Sequence, residues 1–319
     1  MKILYAGSPA IAVPALIALC KTDGVDLAGA LTNPDSPRGR HGYAQPTEVG
    51  EAAAKISSNF QILKPLKLDT QLREQVSLLK PDLLVSFAYG HIFGPKFLAL
   101  FPLGGINIHA SLLPRHRGPS PIQAAILNRD AVTGVTIQTL APQMDTGDIL
   151  LQRQLQLTGS ETTAALGTVI AQLAAEMLPA LLLKIKEGTV FGTPQNHSEA
   201  SYCSLFSKTD GLIDWTKSAA EIEARIRAFD PWPLCRTIHN KKELLILKAA
   251  LYGDNSKQNE NTRYNKAGQV LGIEKNNGIL IQTGDGILSV TELQYQGKKA
   301  LMWKDFLNGA RDFTGSQLG

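Results

Sequence analysis

Cysteine is scarce in this chain of 319 residues. There are three, Cys20, Cys203 and Cys235, and no two are close in sequence. An odd, scattered set argues against a disulfide framework or a zinc site and fits a reducing compartment. Phosphate-binding glycine patterns are missing too. The first strand-like run ends in Gly7-Ser8-Pro9, not in G-x-G-x-x-G, which disfavours a dinucleotide cofactor. Without a P-loop or an H-E-x-x-H pair, neither a nucleotide cofactor nor a metal is implied. No apolar stretch approaches the roughly 20 residues that cross a bilayer. Met1-Lys2 leads straight into a strand-like run with no signal-peptide pattern before it, so a cytoplasmic protein with no membrane partner is expected. Charge of one sign is lacking as well: 32 basic against 28 acidic residues leave a net +4. Most of that excess falls in residues 207–319, which is compatible with a nucleic-acid partner.

What is present suits a globular protein of two domains, 44% hydrophobic and 19% charged. The first half alternates strand-like runs (2–6, 25–31, 61–63, 83–87, 105–109 and 135–139) with helical ones (12–20, 47–57, 69–79 and 121–127). Such alternation predicts an α/β fold: a Rossmann-like, mainly parallel sheet with helices on both faces. A long helix over 162–187 follows, with Leu166, Ile170, Leu173 and Met177 at helical spacing. Residues 189–206 are polar and irregular and read as a linker. Ser218 with Glu221 three residues on is a capping-box signature for another helix. Short strand-like runs then recur at 235–239, 244–250, 268–273, 278–283 and 286–294, predicting a small β-barrel of the OB-like kind. The expected division is a catalytic domain 1–188, a linker 189–206 and a C-terminal barrel 207–319.

Two segments carry the chemistry. The first is Asn107-Ile108-His109 at the end of an apolar run that stops before Pro114; the second is Gln143-Met144-Asp145-Thr146-Gly147-Asp148. Residues two apart on a strand share a face, and the C-terminal end of a parallel strand opens on the ligand crevice. An amide, an imidazole and a carboxylate are the groups needed to move an acyl unit between two nitrogens. Donors from Asn107 and His109 can hold the charge that develops on the acyl oxygen; one such donor is typically worth about 3–4 kcal/mol. Asp145 either holds the imidazolium of His109 or relays a proton through water. No serine or cysteine nucleophile motif accompanies them.

The order of these segments resembles the folate-dependent formyltransferases. The resemblance runs through Leu4-Tyr5-Ala6-Gly7-Ser8-Pro9, Thr32-Asn33-Pro34-Asp35, Ala88-Tyr89-Gly90, Asn107-Ile108-His109, Ser111-Leu112-Leu113-Pro114, Arg117-Gly118 and Asp145-Thr146-Gly147-Asp148. Ile213-Asp214-Trp215 and the stretch from Ile226 to Pro233 are similar to the branch of the family that acts on tRNA. The resemblance implies catalysis by Asn107, His109 and Asp145. It implies 10-formyltetrahydrofolate as donor and co-substrate, contacted by Ser111, Leu112, Leu113 and Pro114, with Ala88 and Tyr89 at the pterin. It implies initiator methionyl-tRNA as acceptor, for translation initiation, approached by Arg38, Arg40 and His41 of a loop over 33–46 and by Lys208. That loop departs from the family: His41-Gly42-Tyr43-Ala44 stands where glycine and lysines are usual, so positive charge is thinner and a tyrosine can stack instead.

Phe229 and Trp232 read as packing residues. Arg225 and Arg227 read either as a basic channel or as charges paired with Glu221 and Glu223. Nothing advertises an interface, so a monomer is expected. The rival readings are a formyltransferase or hydrolase acting on a small amine or on water, and a non-catalytic RNA-binding protein. The complete catalytic set disfavours the last, and the basic, β-rich second half disfavours the small amine.

Overall fold

The computed structural model of the chain describes residues 1–38, 42–56, 60–253 and 266–319. They form two compact units. The first comprises Met1–Pro121, Val132–Gln156 and Leu166–Leu205; the second comprises Ile122–Ala131, Leu157–Ala165 and Phe206–Gly319. The second unit therefore takes in two segments from the first half of the chain, which a single boundary near residue 206 does not capture. Its own bonds explain this: Thr163 donates to the carbonyl of Ala228, and Arg227 Nη1 to that of Glu161.

The first unit is built on seven strands. Strands β1 (Lys2–Gly7) and β2 (Asp26–Leu31) precede a short hairpin, β3 (Ser36–Arg38) and β4 (Tyr43–Gln45). Then come β5 (Gln61–Leu63), β6 (Leu83–Phe87), β7 (Gly105–His109), β8 (Val132–Thr139) and β9 (Ile149–Gln156). The sheet order is β5-β2-β1-β6-β7-β8-β9. The first five are parallel; β8 and β9 run antiparallel at one edge. Strands β1 and β6 are almost wholly buried, which is why both read as unbroken apolar runs. Strand β9, with Gln152, Arg153, Gln154 and Gln156, has no such run and is not evident from sequence.

Helices α1 (Val13–Cys20), α2 (Glu48–Ala54), α3 (Thr70–Leu79), α4 (Pro95–Leu98), α5 (Pro121–Leu127) and α6 (Thr163–Lys186) connect the strands. Thr47 caps α2 by accepting from the Gly50 amide, and Asp69 caps α3 through the Leu72 amide. By length and composition α6 is apolar enough to span a bilayer, which corrects the reading that no stretch approaches this. Leu166, Ile170, Leu173, Leu178 and Leu181 are nevertheless buried within the protein, as in the core helix of a globular unit.

The second unit holds an antiparallel sheet consistent with a small barrel. Helix α7 (Ala219–Ala228) leads into β10 (Cys235–His239), β11 (Lys242–Tyr252), β12 (Val270–Glu274), β13 (Gly278–Gln282), β14 (Ile287–Tyr295), β15 (Leu301–Met302) and α8 (Trp303–Gly309). The order is β10-β11-β14-β13-β12, with β15 on β14. Leu244, Ile246, Ile279, Ile281, Leu288, Val290 and Leu293 form its core.

Candidate active site

Strand β7 sets two polar side chains on one face. Asn107 lies opposite Gln138 of β8, and His109 opposite Thr136. Directly opposed residues of an antiparallel pair point the same way, so the amide of Gln138 joins that face. Asn107 is half-buried, and its side-chain amide has no hydrogen-bond partner among the described residues. His109 is buried. Its Nε2 lies 2.8 Å from the carbonyl oxygen of His116, and its Nδ1 lies 3.6 Å from Asp145 Oδ2. A carbonyl only accepts, so Nε2 carries the proton there and Nδ1 is the atom turned toward the carboxylate. His109 thus commits Nε2 to the His116 carbonyl and keeps Nδ1 near Asp145 but beyond hydrogen-bond distance, and Asn107 is the uncommitted donor of the pair.

Asp145 comes from the turn between β8 and β9. Its carboxylate accepts from the Gly118 amide at 2.8 Å and from Gln138 Nε2 at 3.0 Å. Its backbone is left-handed, with φ +55°. The glycine of the Asp-Thr-Gly-Asp turn has a steric reason: a Cβ on Gly147 would lie 1.8 Å from the carbonyl oxygen of Thr139. The turn is closed there by paired bonds between Thr139 and Asp148, Thr139 N to Asp148 O and Asp148 N to Thr139 Oγ1, both 2.9 Å.

The residues implied for the folate pocket divide. Ser111 and Leu113 are buried and committed to the protein. Ser111 Oγ donates to the Arg115 carbonyl, Thr136 Oγ1 to the Ser111 carbonyl, and the Leu113 amide to Thr136 Oγ1. Leu112 and Pro114 are half-buried and keep apolar surface available. Ala88, at φ +49°, is exposed at the end of β6. Tyr89 turns inward, stacked on Phe93 at 5.5 Å, and burial pushes its hydroxyl up to about 12. It packs in the core with Leu4, Leu31, Leu84 and Phe97.

Of the residues implied for tRNA, Arg38 belongs to the first unit and Lys208 to the second. Arg38 lies on β3 in register with Tyr43. Arg40 and His41 lie outside the described residues. Lys208 is exposed on the second unit, in a short 3-10 turn. Phe229 is buried against Phe206, whereas Trp232 is 56% exposed, which corrects its reading as a packing residue. Arg227 pairs with Glu223, whereas Arg225 donates to the Asp210 carbonyl and lies over the Phe229 ring, and Glu221 is taken by Ser218.

Sequence reading missed the residues beneath Asp145. Arg117 and Gln195 are 1% and 5% exposed and hydrogen-bonded to each other. Gln195 also reaches the Asp145 carbonyl. A glutamine in a polar, irregular stretch carries no local signal of burial; only Arg117-Gly118, within the recognised order of motifs, pointed here. Among the described residues no group of three His, Cys, Asp or Glu is placed to hold a metal.

Residues 1–182 match the Formyl transferase family, and residues 206–311 match Formyl transferase, C-terminal domain. The chain is 50% identical to a methionyl-tRNA formyltransferase of Treponema denticola over 319 residues, 98% of each chain. It is 38% identical to one of Borrelia hermsii over 315 residues, 99% of each. Among solved structures it is similar to an N-formyltransferase from Helicobacter canadensis in complex with folinic acid and dTDP-3-aminofucose (TM-score 0.64, 22% identity, 91% of this chain and 98% of that). It is also similar to HypX from Aquifex aeolicus in complex with tetrahydrofolic acid (TM-score 0.62, 17% identity). That match covers 98% of this chain but 48% of HypX, so the chain spans about half that protein's length. At such identities the two solved structures speak for the fold alone.

Proposed function

The chain belongs to the formyltransferase family, and from that premise we propose that it transfers a formyl group from a tetrahydrofolate donor to the amino group of methionine carried on initiator tRNA. The 50% identity to a methionyl-tRNA formyltransferase over nearly the whole length carries this reading. The donor is 10-formyltetrahydrofolate, which supplies the formyl group on a nitrogen. The residues present fit such a donor: an unengaged amide beside a histidine–carboxylate pair, with Leu112 and Pro114 partly open nearby in sequence. The enzyme acts in translation initiation, in the cytoplasm, as a monomer.

Asn107 donates its side-chain N–H to the formyl oxygen as that oxygen gains charge. His109 and Asp145 form the proton station. Together they take the proton that the attacking amine loses and return one to the nitrogen that leaves. His109 is held for this by the His116 carbonyl, and Asp145 by Gly118 and Gln138. Residues 207–319 hold the tRNA, with Arg38, Arg40, His41 and Lys208 as basic or stacking contacts.

The test is a formylation assay comparing initiator methionyl-tRNA, elongator methionyl-tRNA and free methionine as acceptors. Transfer confined to the initiator is expected. Release of formate without transfer, or transfer to a small amine in preference to the tRNA, refutes the proposal.

A further inference from the structure

We propose that Arg117 and Gln195 are positioning residues for Asp145, so that residues 195–203 belong to the catalytic apparatus and do not merely join two domains. The inference rests on the reading of Asp145 as part of the proton station.

The side-chain amide of Gln195 is used completely. Its Nε2 lies 3.0 Å from the Asp145 carbonyl, 2.7 Å from the Gly147 carbonyl and 3.1 Å from Gln138 Oε1. Its Oε1 accepts from Arg117 Nε at 3.1 Å and Nη2 at 2.7 Å. Three acceptors share its two N–H groups on one side and two donors meet its oxygen on the other, which leaves one orientation for the amide. Gln138, whose oxygen Gln195 holds, turns its own Nε2 to Asp145 Oδ1. Gln195 therefore grips Asp145 twice, at its backbone directly and at its carboxylate through Gln138.

Such a grip has work to do. Asp145 sits at φ +55°, a left-handed region that aspartate enters more readily than most residues with a side chain but still at some cost, and the bond from Gln195 to its carbonyl helps to hold it there. Arg117 anchors the grip. It is buried, no carboxylate lies within ion-pair distance of it among the described residues, and beyond the two bonds to Gln195 it makes one to His197 Nδ1 and one to the Tyr202 hydroxyl, so four of its five N–H groups are engaged. A buried guanidinium is costly unless its donors are met. Here it polarises the Gln195 amide, and each bond in such a chain strengthens the next. The segment is also fastened by backbone bonds: Arg117 N to the Ser201 carbonyl and Cys203 N to the Arg117 carbonyl, both 2.8 Å.

The experiment is a double-mutant cycle on the full chain with initiator methionyl-tRNA. The variants are Gln195→Ala, Asp145→Asn and the pair together. Gln195→Ala is expected to lower kcat about 100-fold, the scale of a roughly 1 Å misplacement. KM for the folate donor and for the tRNA should change by less than about twofold, as for an interaction felt only in the transition state. In the double variant, kcat should be no lower than in Asp145→Asn alone. Amide exchange at Gly118, whose N–H is held by Asp145, should quicken in Gln195→Ala. A double variant that loses the product of the two single effects, or an unchanged Gly118 amide, overturns the positioning role. Wild-type turnover in Asp145→Asn instead overturns the reading of Asp145 and leaves the two failures distinct. Arg117→Lys, which keeps the charge and loses the fork, is judged by the same cycle should Gln195→Ala fail to fold.

Discussion

Asp145 and Gly118 meet across one hydrogen bond, and each is required for a different physical reason. Asp145→Asn keeps shape and removes charge. The fold should persist, with a stability loss of about 1–3 kcal/mol because the new NH2 must face the Gly118 or the Gln138 donor, while kcat falls by about 10²–10⁴-fold, the usual contribution of a positioned acid–base group. Normal turnover would refute the role given to Asp145. Gly118→Ala acts on structure: a Cβ there would lie 2.1 Å from the Cys203 carbonyl oxygen, on a backbone with φ +118°. Urea unfolding should show a loss of more than about 1 kcal/mol; a stability within error of wild type would mean the backbone yields easily. That Asn107 and His109 share a face of β7 was legible in the strand spacing, and that Asp145 comes near His109 was legible in the order of the motifs. Gln195 was not, because its role depends on partners at positions 117, 138, 145 and 147, and its polar neighbours imitate a solvated linker. Tyr89 shows the converse: the end of a strand looked like a pocket, and the ring turned into the core instead.

Among the elements, those with a local rule of their own were the ones sequence could read. Strands β1 and β6 are buried and apolar, and α7 announces itself through Ser218 and Glu221. Both halves of that capping box form: Ser218 Oγ accepts from the Glu221 amide, and Glu221 accepts from the Ser218 amide and hydroxyl. The Ser218 hydroxyl and amide hold the Glu221 carboxyl below its ordinary range. Ser218→Ala should cost about 1 kcal/mol in denaturant unfolding. The carboxyl titrates lower when folded, so its contribution is present above the ordinary glutamate range and is lost as pH falls through the folded value. The difference between wild type and Ser218→Ala should therefore shrink below about pH 4; a difference flat with pH would show that Glu221 takes no part. Strand β9 escaped notice because its glutamines and Arg153 break the apolar pattern, and its place at the sheet edge does not demand one. Helix α6 was foreseen as a helix, but its fitness in length and composition to span a bilayer was not, since the buried apolar residues of a core helix meet the same test.

Across the whole molecule, the two-unit plan was visible in the change from alternating strands and helices to closely spaced strands. That segments Ile122–Ala131 and Leu157–Ala165 belong to the second unit was not, because only tertiary bonds, such as Thr163 to Ala228, assign them. Charge is likewise a property of the molecule as a whole. A net +4, mostly in residues 207–319, is too weak to hold a polyanion indiscriminately. Contacts to tRNA phosphates release counterions, so KM for the tRNA should rise on the order of tenfold or more between about 50 and 200 mM salt, whereas KM for the folate donor should hardly move. Replacing Arg38 and Arg40 together by alanine should raise the tRNA KM at low salt. It should also flatten its salt dependence by about one unit of slope per lost phosphate contact, with folate binding spared. An unchanged slope would mean that these arginines face solvent in the complex; equal damage to folate binding would mean that the loop serves the catalytic crevice instead of the RNA.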